Sequence, residues 1–227
     1  MFKFKFINII SGVFILTGVL VILATFGPLI KDEVWYYLKQ FKHQQMTLTN
    51  KSGAGSTDSA FARFLTSTPI QMTPVNKDFS IVIEKIGVNA PIVANVPVTD
   101  ERAYKEALKQ GVAQAITSDY PTPAPSNVYL FAHTSLGFWD FGLGGYSTVF
   151  NLLHQMTVGD PIHIFYKGDD YVYIVVNKEI VSGWNTFPLT RPTIEPLLTL
   201  QTCDPPGTIL NRLIVTAKLK EVLTGID

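Results

Sequence analysis

Between Phe79 and Leu219 the chain is a succession of short runs rich in Val, Ile and aromatic residues, each closed by Gly, Pro, Asn or Asp. That texture restricts the fold more than any other feature, because runs so brief and so β-branched suit strands and not stable helices. Strand-like segments are Phe79–Glu84, Ile92–Val96 (entered through a turn at Gly87–Pro91), Asn127–Ala132, Pro161–Tyr166, Tyr171–Val176, Lys178–Ser182, Leu197–Gln201 and Arg212–Leu219. The Lys167-Gly-Asp-Asp170 turn predicts a hairpin between Pro161–Tyr166 and Tyr171–Val176. Helical signals are fewer. Asp100 suits the N-cap of a helix through Lys109 closed by Gly111, and Ser147–Met156 reads as a short helix ended by Gly159-Asp160. About seven to eight short strands with two or three helices predict a mostly β domain, an all-β barrel or sandwich with inserted helices.

The N-terminus has a different character. Phe6–Ile30 carries no charge, and about 20 such residues suffice for a helix to span a bilayer. Lys3 and Lys5 precede the run, and Lys31, Asp32 and Glu33 follow it. Positive charge stays inside, so residues 1–5 are expected in the cytoplasm, 6–30 as a transmembrane helix, and the remainder outside the cell. The run ends in Ala24-Thr25-Phe26-Gly27-Pro28, a poor cleavage site, which favours an uncleaved single-pass anchor over a signal peptide. Val34–Leu38 is an aromatic cluster suited to the membrane interface. Residues 31–77 read as a juxtamembrane segment and flexible stalk, rich in Ser, Thr, Gly and Gln from 44 onward, with a short helix at Phe61–Leu65. Residues 78–227 form the folded domain.

The formal net charge is zero, and Lys and Arg form no stripe, so nucleic acid is not an expected partner. A single cysteine excludes an intramolecular disulfide and any Cys-rich metal site. That cysteine, Cys203, lies at the end of the strand-like run Thr199-Leu-Gln-Thr-Cys203, just before Asp204-Pro-Pro-Gly207. The proline pair stops the strand and argues against deep burial. Arg212 heads the next apolar run, bringing a permanent cation to the neighbouring strand. A strand-end thiol beside a cation is placed for reactivity, since only the thiolate is a strong nucleophile. Read alone, however, free cysteines are usually small buried hydrophobes, and Arg212 alone is an ordinary strand charge.

A base must accompany such a thiol. His43 falls in the stalk, His154 on a short helix and His163 inside a strand, and each reads as an ordinary surface or packed histidine. His133 differs, because it ends the apolar strand Tyr129–Ala132 and opens a loop, a position suited to proton transfer. Arg191 belongs to the polar, proline-containing loop Gly183–Pro196 and reads as a surface or substrate-loop residue.

Taken together these segments resemble the sortases, membrane-anchored cysteine transpeptidases of bacterial cell surfaces. Thr199–Cys203 is similar to the family's cysteine motif, Arg212-Leu-Ile-Val215 to its arginine strand and Val128–His133 to its histidine motif. The resemblance extends from about Ile83–Val88 through Val158–Ile162 and Tyr171–Val175. Two residues depart from it. Ala132 stands where the family usually has glycine, and Thr134 where many members have arginine, which leaves the subclass unassigned.

The resemblance implies a closed sortase-like β-barrel. It implies that Cys203 attacks the Thr–Gly carbonyl of a Leu-Pro-x-Thr-Gly type sorting signal on a surface protein, that His133 serves as acid and then base, and that Arg212 orients the substrate and stabilises the oxyanion. Thr202 or nearby backbone N–H groups assist, and Asp140 or Asp204 could orient His133 or tune the thiol. Thr186, Phe187 and Leu189 of the Gly183–Pro196 loop are expected to bind substrate. The acceptor is a cell-wall or pilin amine. No cofactor is expected. Some sortases bind calcium, but no ligand spacing is legible among Glu84, Asp100, Glu101 and Glu106, so no metal is expected. Two other readings stand beside this one: a cysteine peptidase that lets water resolve the thioester, and a non-catalytic membrane-anchored scaffold with a buried, inert thiol.

Overall fold

The computed structural model describes residues 2–42, 46–48, 70–134, 146 and 148–225. His43, Asp140, the Phe61–Leu65 segment and most of the expected stalk lie outside the described residues. Eight strands close into a barrel: β3 (Phe79–Ile83), β4 (Val88–Val96), β5 (Val112–Ala115), β6 (Ser126–Phe131), β7 (Pro161–Tyr166), β8 (Asp169–Ser182), β9 (Pro196–Asp204) and β10 (Asn211–Leu223). Their order around the barrel is β10-β8-β7-β3-β4-β5-β6-β9. β4 runs parallel to β5 and β6 parallel to β9, and the other neighbours for which register is defined are antiparallel. Closure leaves no unpaired edge and decides between barrel and sandwich. Two further short strands, β1 (Met46–Leu48) and β2 (Ile70–Met72), pair parallel outside the barrel and cover Val82 and Phe165.

Alternation along the strands fills the interior. Leu198 and Leu200 of β9 and Leu213, Val215 and Ala217 of β10 point inward and join the main core, with Ile81, Ile83, Ile162 and Ile164 opposite. Each fully buried aliphatic chain contributes about 1.5–3 kcal/mol relative to exposure. The intervening residues of β9 and β10 face outward, and that outer face carries the site described below.

Several boundaries differ from the sequence reading for identifiable reasons. Gly87–Pro91 is not a turn. The turn is the one-turn 3-10 helix Glu84–Ile86, with Gly87 at φ 70°, and β4 is continuous from Val88. Pro91 fits within it because pairing to β5 starts only at Ile92, so its missing N–H costs no ladder bond on that side. β5 escaped notice because all four of its residues are buried, which erases the alternation that marks a half-buried strand. Tyr171–Val176 and Lys178–Ser182 are one long strand. Among the described residues of the expected helix Ser147–Met156, the helical element is the 3-10 turn Leu153–Gln155. The segment's fully buried residues Phe150, Leu153 and Met156 recur at a spacing of three, the 3-10 period.

The helix α2 (Glu101–Gln110) forms as expected. The Asp100 carboxylate accepts from the N–H groups of Arg102 and Ala103 at 3.0 and 3.1 Å, satisfying two donors at the helix start. Tyr104, Ala107 and Leu108 pack on the barrel.

The N-terminal helix α1 (Phe2–Phe41) runs beyond the expected anchor. Among the described residues no single helix is long and apolar enough to cross a membrane. Ser11–Gly27 and Ile30–Phe41, bent by 58° at the break between them, pass together by length and composition. The break falls at residues 28–29, and the proline in it has no N–H to give to a helical hydrogen bond. Beyond it α1 docks on the barrel end. Asn151 Nδ2 donates to Asp32 at 3.0 Å, His154 Nε2 lies 2.8 Å from Glu33, and Lys39 Nζ donates to the Lys85 carbonyl at 3.0 Å. Tyr36, expected at a membrane interface, is buried in the barrel core, because Asp32, Tyr36 and Lys39 share one helix face.

Gly111 tests the packing of α2. A Cβ there would lie 2.2 Å from the Pro91 carbonyl oxygen, a contact that backbone must move to relieve. Gly111→Ala is expected to destabilise the domain by about 2 kcal/mol, read as a lowered denaturation midpoint. Unchanged stability would mean that the α2–β4 approach is looser than described.

Candidate active site

The outer face of β6, β9 and β10 floors a cleft of about 410 Å³. Tyr129 and Phe131 come from β6, Gln201 and Cys203 from β9, and Arg212 from β10. One wall is Val98, Thr99, Glu101 and Tyr104, from the start of α2 and the segment before it. The other is Gly183, Asn185, Thr186 and Leu189, from the connector between β8 and β9.

Register places the thiol. β9 extends to Asp204, three residues beyond the end expected from sequence, so Cys203 is hydrogen-bonded strand and not loop. Arg212 and Cys203 are direct Cα partners across the antiparallel β9–β10 pair, and both lie on the face opposite the core-facing Leu200 and Leu213. Arg212 is itself steered by the turn before it, its Nη1 donating to the carbonyls of Asn211 at 3.0 Å and Ile209 at 3.3 Å.

The histidine segment is tied to the same strand end. Phe131 pairs with Gln201 in the parallel β6–β9 ladder, and the Ala132 N–H donates to the Gln201 carbonyl at 3.1 Å. Thr202 Oγ1 donates to the Ala132 carbonyl at 2.9 Å, and Thr134 Oγ1 to the Cys203 carbonyl at 3.0 Å. His133 is therefore held on both flanks against Thr202 and Cys203, two residues past the last ladder pair. Its ring lies edge-on to Tyr104, centroids 5.7 Å apart, while Tyr104 stacks on Phe131 at 5.6 Å. Thr134, a departure from the family pattern, is thus a buried clasp between the two strand ends.

The structure accordingly brings His133, Cys203 and Arg212 to one strand end. Thr202 lies there too, but its hydroxyl is engaged by Ala132. Leu189 lines the cleft, whereas Phe187 is 62% exposed and does not. Asp204 alternates to the other side of β9 and borders a separate cavity with Thr134, Asn151 and His154. His163 is held by Asp170 at 2.8 Å on the hairpin, and His154 by Glu33. Among the cleft residues that sequence reasoning missed are Tyr104, Tyr129 and Gln201. Tyr104 was detectable, because it falls one turn before Leu108 on the apolar face of α2. Tyr129 and Gln201 were hidden as ordinary strand residues. The Tyr129 hydroxyl donates a short hydrogen bond to Gln201 Oε1.

Two opposing effects act on the thiol. Burial pushes the Cys203 thiol up, and the Arg212 guanidinium pulls it down by a smaller amount. Tyr104 is also held up, first by burial and then by Cys203, with Arg212 opposing, so phenol, thiol and guanidinium share one field. Ionisation of the thiol is thus set by the balance of burial against the adjacent guanidinium.

Comparison with known proteins followed the same outline. The Sortase domain model matches residues 81–220. Among solved structures, the chain is similar to sortase C1 of GBS pilus island 1, at 24% identity over 63% of this chain and 64% of that one, with a TM-score of 0.52. It is similar to a Clostridium perfringens sortase D5 transpeptidase, at 25% identity over 63% and 79%, TM-score 0.51. It is also similar to sortase C-1 from Actinomyces oris, at 23% identity over 86% and 99%, TM-score 0.51. These likenesses share the barrel fold. No curated protein matches the chain.

Alkylation of Cys203 by iodoacetamide should rise with pH along a curve whose midpoint lies above that of an exposed thiol. Arg212→Ala should move the midpoint further up, because the one effect lowering it is removed. A midpoint indifferent to Arg212 would break the proposed pairing of guanidinium and thiol.

Proposed function

The chain belongs to the sortase family of transpeptidases, and from that premise we propose that it is a membrane-anchored cysteine transpeptidase acting on sorting signals of the Leu-Pro-x-Thr-Gly type. The observation that carries this reading is the pairing of Cys203 with Arg212 on the cleft floor, with the His133 segment bonded to the same strand end.

In the first half-reaction Cys203 Sγ, as thiolate, attacks the Thr–Gly carbonyl carbon. The Arg212 guanidinium, held by two turn carbonyls at one nitrogen, keeps its other donors for the developing oxyanion. The tetrahedral intermediate collapses with C–N cleavage, and His133, as imidazolium, gives its proton to the leaving amine. A thioacyl-enzyme remains, which divides one difficult substitution into two easier ones. In the second half-reaction an acceptor amine of the cell wall or a pilin subunit attacks the thioester. The C–S bond breaks, its electron pair returns to sulfur, and neutral His133 takes the proton from nitrogen. The half-buried cleft suits this chemistry, since limited water access favours capture by an amine over hydrolysis. Leu189, with Asn185 and Thr186, walls the acyl-donor groove.

The N-terminal helix serves as the anchor. Residues 6–30 cross the membrane with the N-terminus in the cytoplasm, and the barrel works outside. Enzyme and substrate held on one surface meet at raised effective concentration.

The test uses the full chain in detergent micelles with a sorting-signal peptide, followed by intact-mass spectrometry. Wild type should accumulate a thioacyl adduct that hydroxylamine releases as the hydroxamate. Cys203→Ala should form none, and His133→Ala should form it at least about 100-fold more slowly. Absence of any adduct, together with alkylation of Cys203 far slower than that of free cysteine, would return the chain to the scaffold reading.

A further inference from the structure

Arg191 reads from sequence as a surface or substrate-loop residue, and the structure turns its side chain onto the barrel. It caps the one-turn helix α3 (Phe187–Thr190), its N–H donating to the Phe187 carbonyl at 2.8 Å. Its side chain folds back over the outer face of the barrel. Nη2 donates to Thr199 Oγ1 at 2.7 Å, and both Nη1 and Nη2 reach Thr216 Oγ1 at 3.4 Å. Thr199 and Thr216 are Cα partners on β9 and β10, 0% and 4% exposed. The Thr199 hydroxyl passes the chain on to Asn127 Oδ1 at 2.8 Å, and Asn127 Nδ2 donates to the Pro188 carbonyl at 3.1 Å. The hydrogen-bond circuit leaves Arg191 at the C-cap of α3, passes through Thr199 of β9 and Asn127 of β6, and returns to α3 at Pro188, with Thr216 of β10 as a branch from the guanidinium.

This circuit fixes one wall of the cleft. Leu189 of that wall lies within α3, and Asn185 and Thr186 immediately precede it. Thr199 lies on the same face of β9 as Cys203, four residues before it, or about 13 Å along the strand. The wall is thus pinned at a set distance from the thiol. The guanidinium makes no ion pair among the described residues, and its Nε is buried without a partner there. Burial disfavours the charge and Glu179 offsets it only at longer range, so the guanidinium is held mainly by hydroxyls and not by a close ion pair. One guanidinium reaches two hydroxyls on adjacent strands, which a point charge on a flexible stem does less well.

We propose that Arg191 is a positioning residue for substrate selection. It holds the Asn185–Leu189 wall in register with Cys203, so that the wall discriminates among acyl donors. The inference rests on the transpeptidase reading for its substrate arm only.

The experiment compares the full-length wild type with Arg191→Ala and Arg191→Lys in detergent micelles. Amide hydrogen exchange is followed across residues 183–190. In parallel, kcat/KM for thioester formation is measured with a Leu-Pro-x-Thr-Gly peptide and with its Leu→Ala counterpart. Arg191→Ala should speed exchange at the Leu189 and Thr190 amides, now bonded to the Thr186 carbonyl. It should also shrink the kcat/KM ratio between the peptides by about tenfold, mainly through KM, the loss expected for one charge-assisted hydrogen bond. Arg191→Lys should fall between the two, and it carries the test if the alanine variant does not fold. Unchanged exchange overturns the anchor. Faster exchange with the ratio intact overturns the selection role. If wild type forms no thioester, the transpeptidase reading fails, and the exchange arm, which needs no substrate, still decides whether Arg191 anchors the wall.

Discussion

The register between β9 and β10 is the constraint on which the site depends. Side chains alternate faces along a strand, so a slip of one residue would send Cys203 inward and bring a core leucine to the cleft floor. The register is enforced from the inside, by Leu198, Leu200, Leu213, Val215 and Ala217 all facing the core. Packing of apolar residues therefore fixes the opposition of thiol and guanidinium, although neither belongs to the core. The parallel β6–β9 ladder extends the same logic to His133, since Thr202 and Thr134 bond the two strand ends to each other on either side of it.

The cleft balances burial against charge. Enclosing Cys203 beside Tyr104 and Phe131 disfavours the thiolate, and Arg212 recovers part of that loss. Full exposure would ionise the thiol more readily. Deeper burial without the arginine would leave it inert. The half-buried position at a strand end, with a cation as its cross-strand partner, lies between these limits. The two cleft walls come from segments anchored differently, one by the capped α2 and its aromatic stack, the other by the polar circuit through Arg191. The Ile30–Phe41 part of α1 packs on the same end of the barrel at which β6 and β9 terminate, through Asp32, Glu33, Tyr36 and Lys39.

Most strands were legible because period-two alternation and turn chemistry are local. The hairpin of β7 and β8 and the Asp100 cap are examples. What failed to read did so where local signals conflict with tertiary ones. Pro91 looked like a breaker but occupies a stretch of β4 not yet paired to β5. β5 showed no alternation because both its faces are covered. Thr134 looked like a mere substitution in a family pattern, whereas it bonds the Cys203 carbonyl. Tyr129 and Gln201 carried no mark of the cleft because outward-facing strand residues look alike until something is packed over them.

The sequence by itself determined the fold class and the uncharged N-terminal run, and its family resemblance raised the expectation that His133, Cys203 and Arg212 act together. These follow from short-range patterns and from the chemistry of individual side chains. Only the tertiary structure decided that the sheet closes into a barrel, that Arg212 faces Cys203 across a ladder, that Tyr104 leans on His133, and that Arg191 turns inward to hold a wall. Each of these joins residues far apart in the chain, and such pairings are selected by the closure of the sheet and the packing of its core, which no local window of sequence contains.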